Sequence, residues 1–500
     1  MSDISRQTKI TLSDLEQYLF EAANILRGPV EHADFKTYIF PLLFFKRISD
    51  VYDEEYQIAL EESDGDIEYA SFEENHRFQI PEGCHWNDVR ETTKNVGLSL
   101  THALRGIESN NQDLQGIFGD AQWTNKERFP DRLLTHLIEH FSMYKLTRAN
   151  VDPDMAGQAY EYLIKKFADM SKSKAGEFYT PRAVVSLMTM IMDPQEKESI
   201  YDPACGTGGM LLEALDYVAR NGGDIRTMKL YGQEKNLTTS SIARMNLLLH
   251  GRDDFDIKRA DTLRNPAFFD MGELSTFDCV IANPPFSLKK WGRDIWQNDP
   301  YGRNFAGLPP KSYGDYAWVQ HMISSMAKPN GRLAVVLPHG ALFRMGSEGK
   351  IRKKILELDL LDAVIGLGPN LFYGTGLAAC IMIFRVRKPE NHLKKVIFID
   401  GSEVYQTGRN QNHLKDEHIN QLFEYYQNYD DVEGRVKVAT LEKIKENDYN
   451  LNIPLYVEPI IEEENISIEE AFADFKQSID ECFAAEENLK ALLKREGLMK

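Results

Sequence analysis

Ser199-Ile200-Tyr201-Asp202-Pro203-Ala204-Cys205-Gly206-Thr207-Gly208-Gly209-Met210 is the stretch on which the reading of the fold turns. An apolar-ended strand runs into a glycine-rich loop, and a helix leaves it at Met210. Glycine reaches dihedrals closed to other residues and lets main-chain N–H groups come close to a ligand. The loop is neither a Gly-x-Gly-x-x-Gly fingerprint nor a Gly-x-x-x-x-Gly-Lys-Ser/Thr phosphate grip, and the latter occurs nowhere in the chain, which argues against ATP hydrolysis. A strand, a glycine loop and a helix in that order predict a nucleotide-like ligand at the carboxyl edge of a parallel sheet.

The surrounding texture agrees. From about residue 175, strand candidates at 199–201, 228–232, 278–282, 332–337, 363–367 and 379–386 alternate with helix candidates at 183–192, 210–220, 239–250, 316–327 and 348–357. Such alternation predicts an α/β fold with a doubly wound, mostly parallel sheet. The last two strands lie close together with no full helix between them, which suits a reversed edge strand. Residues 1–165 read as a helical N-terminal domain. Leu12, Leu15, Leu19, Ala22, Ala23 and Leu26 recur at helical spacing, as do Phe35, Tyr38, Ile39, Leu42, Leu43 and Phe45 up to Ile48. Residues 64–113 are polar, with a turn at Pro81-Glu82-Gly83, and are expected to hold long loops. Met155–Met170 reads as a further helix. Residues 166–405 form the sheet domain, and 406–500 a polar C-terminal region ending in an amphipathic helix over 466–498. That last helix suits either packing on its own chain or docking on a partner helix.

A second motif, Asn283-Pro284-Pro285-Phe286, closes the apolar run Phe277–Ala282. This motif resembles the Asn/Asp-Pro-Pro-aromatic loop of amino-methyltransferases, which implies an exocyclic amine as substrate, and such an amine conjugated to an aromatic ring is a poor nucleophile. Two acceptors on its hydrogens, the Asn283 side-chain carbonyl and the Pro284 main-chain carbonyl, would draw it toward tetrahedral geometry. Successive prolines stiffen the loop, and Phe286 offers a stacking face. Asn283 has no useful pKa, so its expected duty is orientation and polarisation. On the cofactor side the candidates are Asp202, Ala204, Gly206, Thr207, Gly208 and Gly209 of the first loop, with Asn283 itself. Glu234, ending the next strand, is placed to accept ribose hydroxyls. Asp261 could contact an adenine or serve as an ordinary turn aspartate. Upstream, Thr180 and Pro181 suit a helix N-cap with proline at the first helical position, and Glu177, Phe178 and Tyr179 could wall the same pocket.

Taken together, the two motifs resemble those of S-adenosylmethionine-dependent amino-methyltransferases, whose sheet the fold class would match. More broadly, the chain resembles the modification (M) subunits of type I restriction-modification systems. The matching stretches include Leu26–Gly28, Leu43–Asp50, Gly176–Pro181, Ala243–Asn246, Gly314–Trp318, Leu337–Arg344 and Pro369–Thr375, so the resemblance covers nearly the whole chain. It implies S-adenosyl-L-methionine as cofactor and N6 methylation of a flipped adenine in duplex DNA. It also implies a separate specificity (S) subunit that reads the bases, a second copy of the M subunit, and a motor-nuclease (R) subunit. Cys205 departs from the alanine common in relatives, with little effect expected from so small a change. Protein glutamine methyltransferases also use an Asn-Pro-Pro loop, but they are smaller and lack long helical flanks.

Composition sets the outer bounds. The chain has 500 residues, 42% hydrophobic and 27% charged, with a net charge of −19, which is a normal balance for a protein with a sizeable core. DNA affinity is largely phosphate neutralisation, and an acidic chain is a poor autonomous DNA binder. The charge suits either solubility alone or an arrangement in which another subunit supplies most of that affinity, and Lys289, Lys290 and Arg293 are the candidates for a local basic face. Five scattered cysteines without a Cys-x-x-Cys pair predict neither disulfides nor a zinc site, and no metal is expected. No apolar run approaches the ~18 residues of a membrane helix, and the N-terminus lacks a signal-peptide pattern. The expected location is the cytoplasm.

Overall fold

The structure, a computed structural model, describes residues 10–170, 180–372, 376–409, 411–458, 467–496 and 498–499. The backbone forms two compact units, 1–457 and 458–500.

The first unit opens with helices. The longer ones are α1 (Leu12–Ile25), α2 (Phe35–Glu62), α3 (Val96–Asn110), α4 (Asp131–Phe141) and α5 (Pro153–Met170). Helix α1 starts at a capping box in which the Thr11 hydroxyl and the Asp14 carboxylate satisfy each other's backbone N–H. Helix α2 runs past Ile48 to Glu62 and carries Pro41 inside it. The stretch 64–113, expected to hold long loops, contains α3. Its Val96, Leu100, Ala103, Leu104 and Ile107 are buried at helical spacing, a periodicity hidden by the polar residues on either side.

Among the described residues the main sheet has nine strands: β1 (Ser199–Asp202), β2 (Lys229–Glu234), β3 (Phe255–Arg259), β4 (Cys279–Ala282), β5 (Arg332–Pro338), β6 (Leu361–Leu367), β7 (Ala379–Arg385), β8 (Lys395–Gly401) and β9 (Val436–Thr440). Their order is β9-β8-β6-β7-β5-β4-β1-β2-β3. All neighbours are parallel except β7, antiparallel to β5 and β6, and β9, antiparallel to β8. The mostly parallel, doubly wound α/β architecture is as the sequence predicts. The reversed strand is not at an edge, however. Six of the seven residues of β7, Ala379 to Phe384, are buried, so the strand needs neighbours on both sides. The reversed edge strand is β9, whose Val-Lys-Val alternation escaped the reading of residues beyond 405.

Helices α6 (Arg182–Met192), α7 (Gly209–Arg220), α8 (Leu237–Leu249), α9 (Asp315–Ser324), α10 (Ser347–Glu357) and α11 (Asp416–Asn428) cover the sheet. Strand alternation divides the core cleanly. Ile200, Cys279, Ile281, Ala334 and Val336 face α6, α7 and α11, whereas Tyr201, Val280, Ala282, Leu333 and Val335 face α9 and α10. Helix α8 belongs to two cores at once. Ala243 and Leu247 join the sheet core, while Ile242, Met245, Leu248 and Leu249 join that of the N-terminal helices. Tyr160 of α5 is fully buried against it, with its hydroxyl 3.4 Å from the Ile242 carbonyl.

Among the described residues the second unit contains one helix, α12 (Ile468–Arg495), close to the expected 466–498. Ile466 lies outside the described residues. Ile468, Phe472, Phe475, Phe483, Leu489 and Leu492 are all exposed on it.

Candidate active site

The strand order reverses between β1 and β4, and the loops leaving their carboxyl ends meet there, at the point where open α/β sheets bind ligands. The first loop folds on its own polar groups. The Asp202 carboxylate accepts the Ala204 N–H at 2.9 Å, Cys205 N–H donates to the Gln233 carbonyl at 3.1 Å, and Gly208 N–H donates to the Cys205 carbonyl at 2.8 Å. Gly208, at φ +81°, forms the entry to α7 in a left-handed conformation that other residues adopt at a cost. Gly232 of β2 is required for space. A Cβ there would lie 2.5 Å from Ile257 and 2.9 Å from the Cys205 sulfur. Cys205 thus seats the loop against β2.

Two carboxylates border this loop. Glu234 accepts the Gly206 N–H at 3.2 Å and the Asn236 N–H at 2.7 Å, which ties the ends of β1 and β2 together. Burial raises its carboxyl above the usual range. Asp202 is 2% exposed, and burial, reinforced by the nearby Glu234 charge, pushes it up to about 8 against the Ala204 hydrogen bond. Asp261 lies in the third loop, paired with Lys235 at 2.9 Å, and also serves its turn, accepting the Arg264 N–H at 3.3 Å. Thr262 beside it donates to the Pro203 carbonyl at 2.6 Å and joins that loop to the first. Asn246 of α8 donates to the Thr207 carbonyl at 3.0 Å.

The Asn283 loop leaves β4 directly opposite. Asn283 donates through Nδ2 to the Thr180 hydroxyl at 2.9 Å, which leaves Oδ1 free of that bond. This corrects one local expectation: α6 starts with Pro181 at the N-cap position and no side-chain cap, and the Thr180 hydroxyl serves Asn283 instead. Glu177, Phe178 and Tyr179 lie outside the described residues. Pro284 is buried, and Pro285 and Phe286 are half-buried. The Phe286 ring meets Phe372 edge to face at 5.9 Å. Lys289 and Lys290 are exposed, whereas Arg293 turns back to the Pro309 carbonyl at 3.0 Å.

Sequence reasoning missed the support beneath these loops. Trp291, Trp296 and Trp318 pack with Leu263 and Ala317, and Ala204 lies against the cluster. Arg303 is fully buried among them. It pairs with Asp299 at 2.7 Å and donates to the Thr262 and Leu263 carbonyls at 2.9 and 3.1 Å. Its guanidinium also lies 4.6 Å from the Trp296 ring. His321, behind it, is buried and held neutral by burial and by Arg303. Three of the five tryptophans falling within 291–318 was the available signal.

Comparison with known proteins places this arrangement. Residues 151–465 match the family described as N-6 DNA Methylase, and residues 15–141 match the HsdM N-terminal domain. The type I restriction enzyme MjaVII methylase subunit of Methanocaldococcus jannaschii is 34% identical over 94% of this chain and 82% of its own length. The HindI methylase subunit of Haemophilus influenzae is 31% identical over 83% of this chain and 98% of its own. Among solved structures, the type I restriction-modification system methyltransferase subunit from Streptococcus thermophilus superposes with a TM-score of 0.78 at 31% identity. It covers 90% of this chain and 100% of that one.

Proposed function

The chain belongs to the type I restriction enzyme methylase subunits, a family of N6-adenine DNA methyltransferases, and from that premise we propose how its residues divide the work. Asp202, Ala204, Gly206, Thr207, Gly208 and Gly209 with Glu234 hold S-adenosyl-L-methionine, aided by Asp261 and by Glu177, Phe178, Tyr179, Thr180 and Pro181. The donor set fits that group. A left-handed glycine loop with little side-chain bulk lies between two carboxylates made more basic by burial, which suits a cationic amino acid moiety and a ribose. When bound, the cofactor supplies the electrophilic methyl. Asn283 Oδ1 and the Pro284 carbonyl accept the hydrogens of the adenine N6 amine, and Phe286 stacks on the flipped base. The observation that carries this reading is the Asn283–Thr180 hydrogen bond, which holds one N–H of the amide on the protein and leaves Oδ1 outside that bond as an acceptor for the target.

Residues 1–165 then act as the helical N-terminal domain, 166–405 as the transferase, and 406–500 as a region for contacts between subunits. The apolar stripe of α12 suits docking on a helix of a specificity subunit that reads the DNA sequence. The net charge of −19 supports leaving most DNA affinity to that subunit. A second M copy and a motor-nuclease subunit complete the complex, in the cytoplasm. No helix among the described residues is long and apolar enough to cross a membrane. The deciding experiment is tritiated methyl transfer to adenine-containing DNA, with the chain alone and with its specificity subunit. Transfer by the mixture is expected. Cofactor binding without transfer in either sample overturns the assignment of the substrate.

One pH effect follows from Asp202. Below about pH 8 the cofactor-free chain holds this carboxyl protonated. A cation beside it favours the carboxylate, so binding releases a proton and affinity rises with pH, by up to about tenfold per unit, levelling off above the carboxyl's own pKa. Calorimetric titration across that range is expected to show the slope, and Asp202→Asn is expected to remove it.

A further inference from the structure

Gly314–Trp318 and Leu337–Arg344 carry the family resemblance, yet neither belongs to the cofactor loop or to the Asn283 loop. They meet beneath the exit of the latter. Asp315, the first residue of α9, has a side chain 1% exposed, and its Oδ1 accepts the Ser287 N–H at 2.8 Å. Its other oxygen takes the Arg344 guanidinium, which also binds the buried Glu348 at 2.7 Å. The same guanidinium lies 4.2 Å from the Tyr313 ring and 3.5 Å from the Ser287 hydroxyl. Burial alone pushes the Asp315 carboxyl up, and the Ser287 N–H and Arg344 oppose it.

Ser287 directly follows Phe286 and sits at φ +51°, a left-handed conformation that a serine keeps when its surroundings hold it there. At the entry of the loop, strand β4 and Thr180 fix Asn283. Two prolines transmit little flexibility between the ends. The hydrogen bond from Ser287 to a buried, braced carboxylate fixes the exit.

We infer that Asp315 is a positioning residue for methyl transfer. Braced by Arg344, it sets the height of the Asn283 and Pro284 carbonyls, and of the Phe286 ring, against the target amine. This rests on the reading of Asn283 given above. An ion pair that merely tied α9 to the segment leading into α10 would leave turnover unchanged once the protein is folded. A positioning contact instead changes kcat and leaves cofactor binding alone, because the cofactor loop is held by Glu234, Thr262 and Asn246.

The test uses the full-length chain assembled with its specificity subunit, measuring kcat and the KM for S-adenosylmethionine of Asn283→Ala, Asp315→Ala and Asp315→Asn. Asp315→Ala is expected to lower kcat about 100-fold, with the cofactor KM within about twofold of the unsubstituted chain. Asp315→Asn keeps an acceptor for Ser287 N–H and loses the ion pair, so its kcat is expected to fall by about tenfold. A kcat for Asp315→Ala within about threefold of the unsubstituted chain overturns the inference, as does a parallel loss of cofactor affinity in both variants. Should Asp315→Ala fail to accumulate, Asp315→Asn decides: about tenfold at constant KM supports the inference, and an unchanged kcat ends it. Normal turnover by Asn283→Ala would remove the reading of the site and this inference with it. Loss in Asn283→Ala beside normal rates in Asp315→Ala would remove the inference alone.

Discussion

Asn283→Ala is expected to lower methyl transfer by about 10²–10³-fold while cofactor binding and subunit assembly persist. The target amine's lone pair is delocalised into the purine ring, so the barrier falls when acceptors draw on its hydrogens as charge develops. Alanine removes the side-chain acceptor and leaves the Pro284 carbonyl. It also frees the Thr180 hydroxyl, which now receives the Asn283 amide at 2.9 Å. Because β4 and the two prolines hold the backbone, the loop itself is expected to keep its path. Thr180→Val is the sharper companion. It leaves Asn283 in place but removes the group that fixes which way the amide points, and is expected to cost about tenfold in kcat. Single-turnover transfer of labelled methyl, alongside cofactor titration, checks both. Full activity in Asn283→Ala would refute the catalytic role assigned to this loop.

Arg303→Ala is expected to destabilise the first compact unit by about 3–5 kcal/mol. Arg303 and Asp299 both have fully buried side chains. Removing the arginine leaves a carboxylate without its partner in the interior, takes the guanidinium from the Thr262 carbonyl, leaves the Leu263 carbonyl with the Trp296 indole N–H, and opens space beside Trp296. Lysine is expected to rescue poorly, since it lacks the planar fork that serves a carboxylate and two carbonyls together. Replacing both members, Asp299→Leu with Arg303→Met, is expected to recover much of the loss, because no charge is then stranded. Urea denaturation followed by tryptophan fluorescence reads the effect, since Trp296 lies against the guanidinium and Trp291 and Trp318 pack in the same cluster. A shift no larger than that of an exposed substitution would show that water reaches the pair.

Much of the architecture was legible because four of the strands, β4 to β7, announce themselves as apolar runs, while β1 and β2 are marked by the glycine loop and the carboxylate that follow a short apolar pair. Arg332–Pro338 and Ala379–Arg385 are buried nearly throughout and read as strands from composition alone. Strands β3 and β9 mix charged with apolar residues, and β8 lies outside the regular strand–helix alternation. The reversal of β7 was visible in the short link before it, but its interior place was not, since strand order depends on pairings between distant segments. The glycine loop and the Asn-Pro-Pro loop stood out for a different reason: glycine and proline clusters are local signals. The residues that hold those loops are not local. Ser287 and Asp315 are 28 positions apart, and Arg303 lies 41 positions from the Thr262 carbonyl it binds. A buried arginine or aspartate looks like any surface charge until its partner is known.

Helix α8 gives one face to the sheet and the other to the N-terminal helices, and Asn246 on it holds the glycine loop through the Thr207 carbonyl. Such a helix cannot be matched to a new neighbour on one side without keeping its fit on the other. Swapping the N-terminal third of this protein for that of a distant relative would place foreign side chains against Ile242, Met245, Leu248 and Leu249. The two parts must therefore diverge in step, inherited as one piece, and the surfaces free to drift are those that touch neither core.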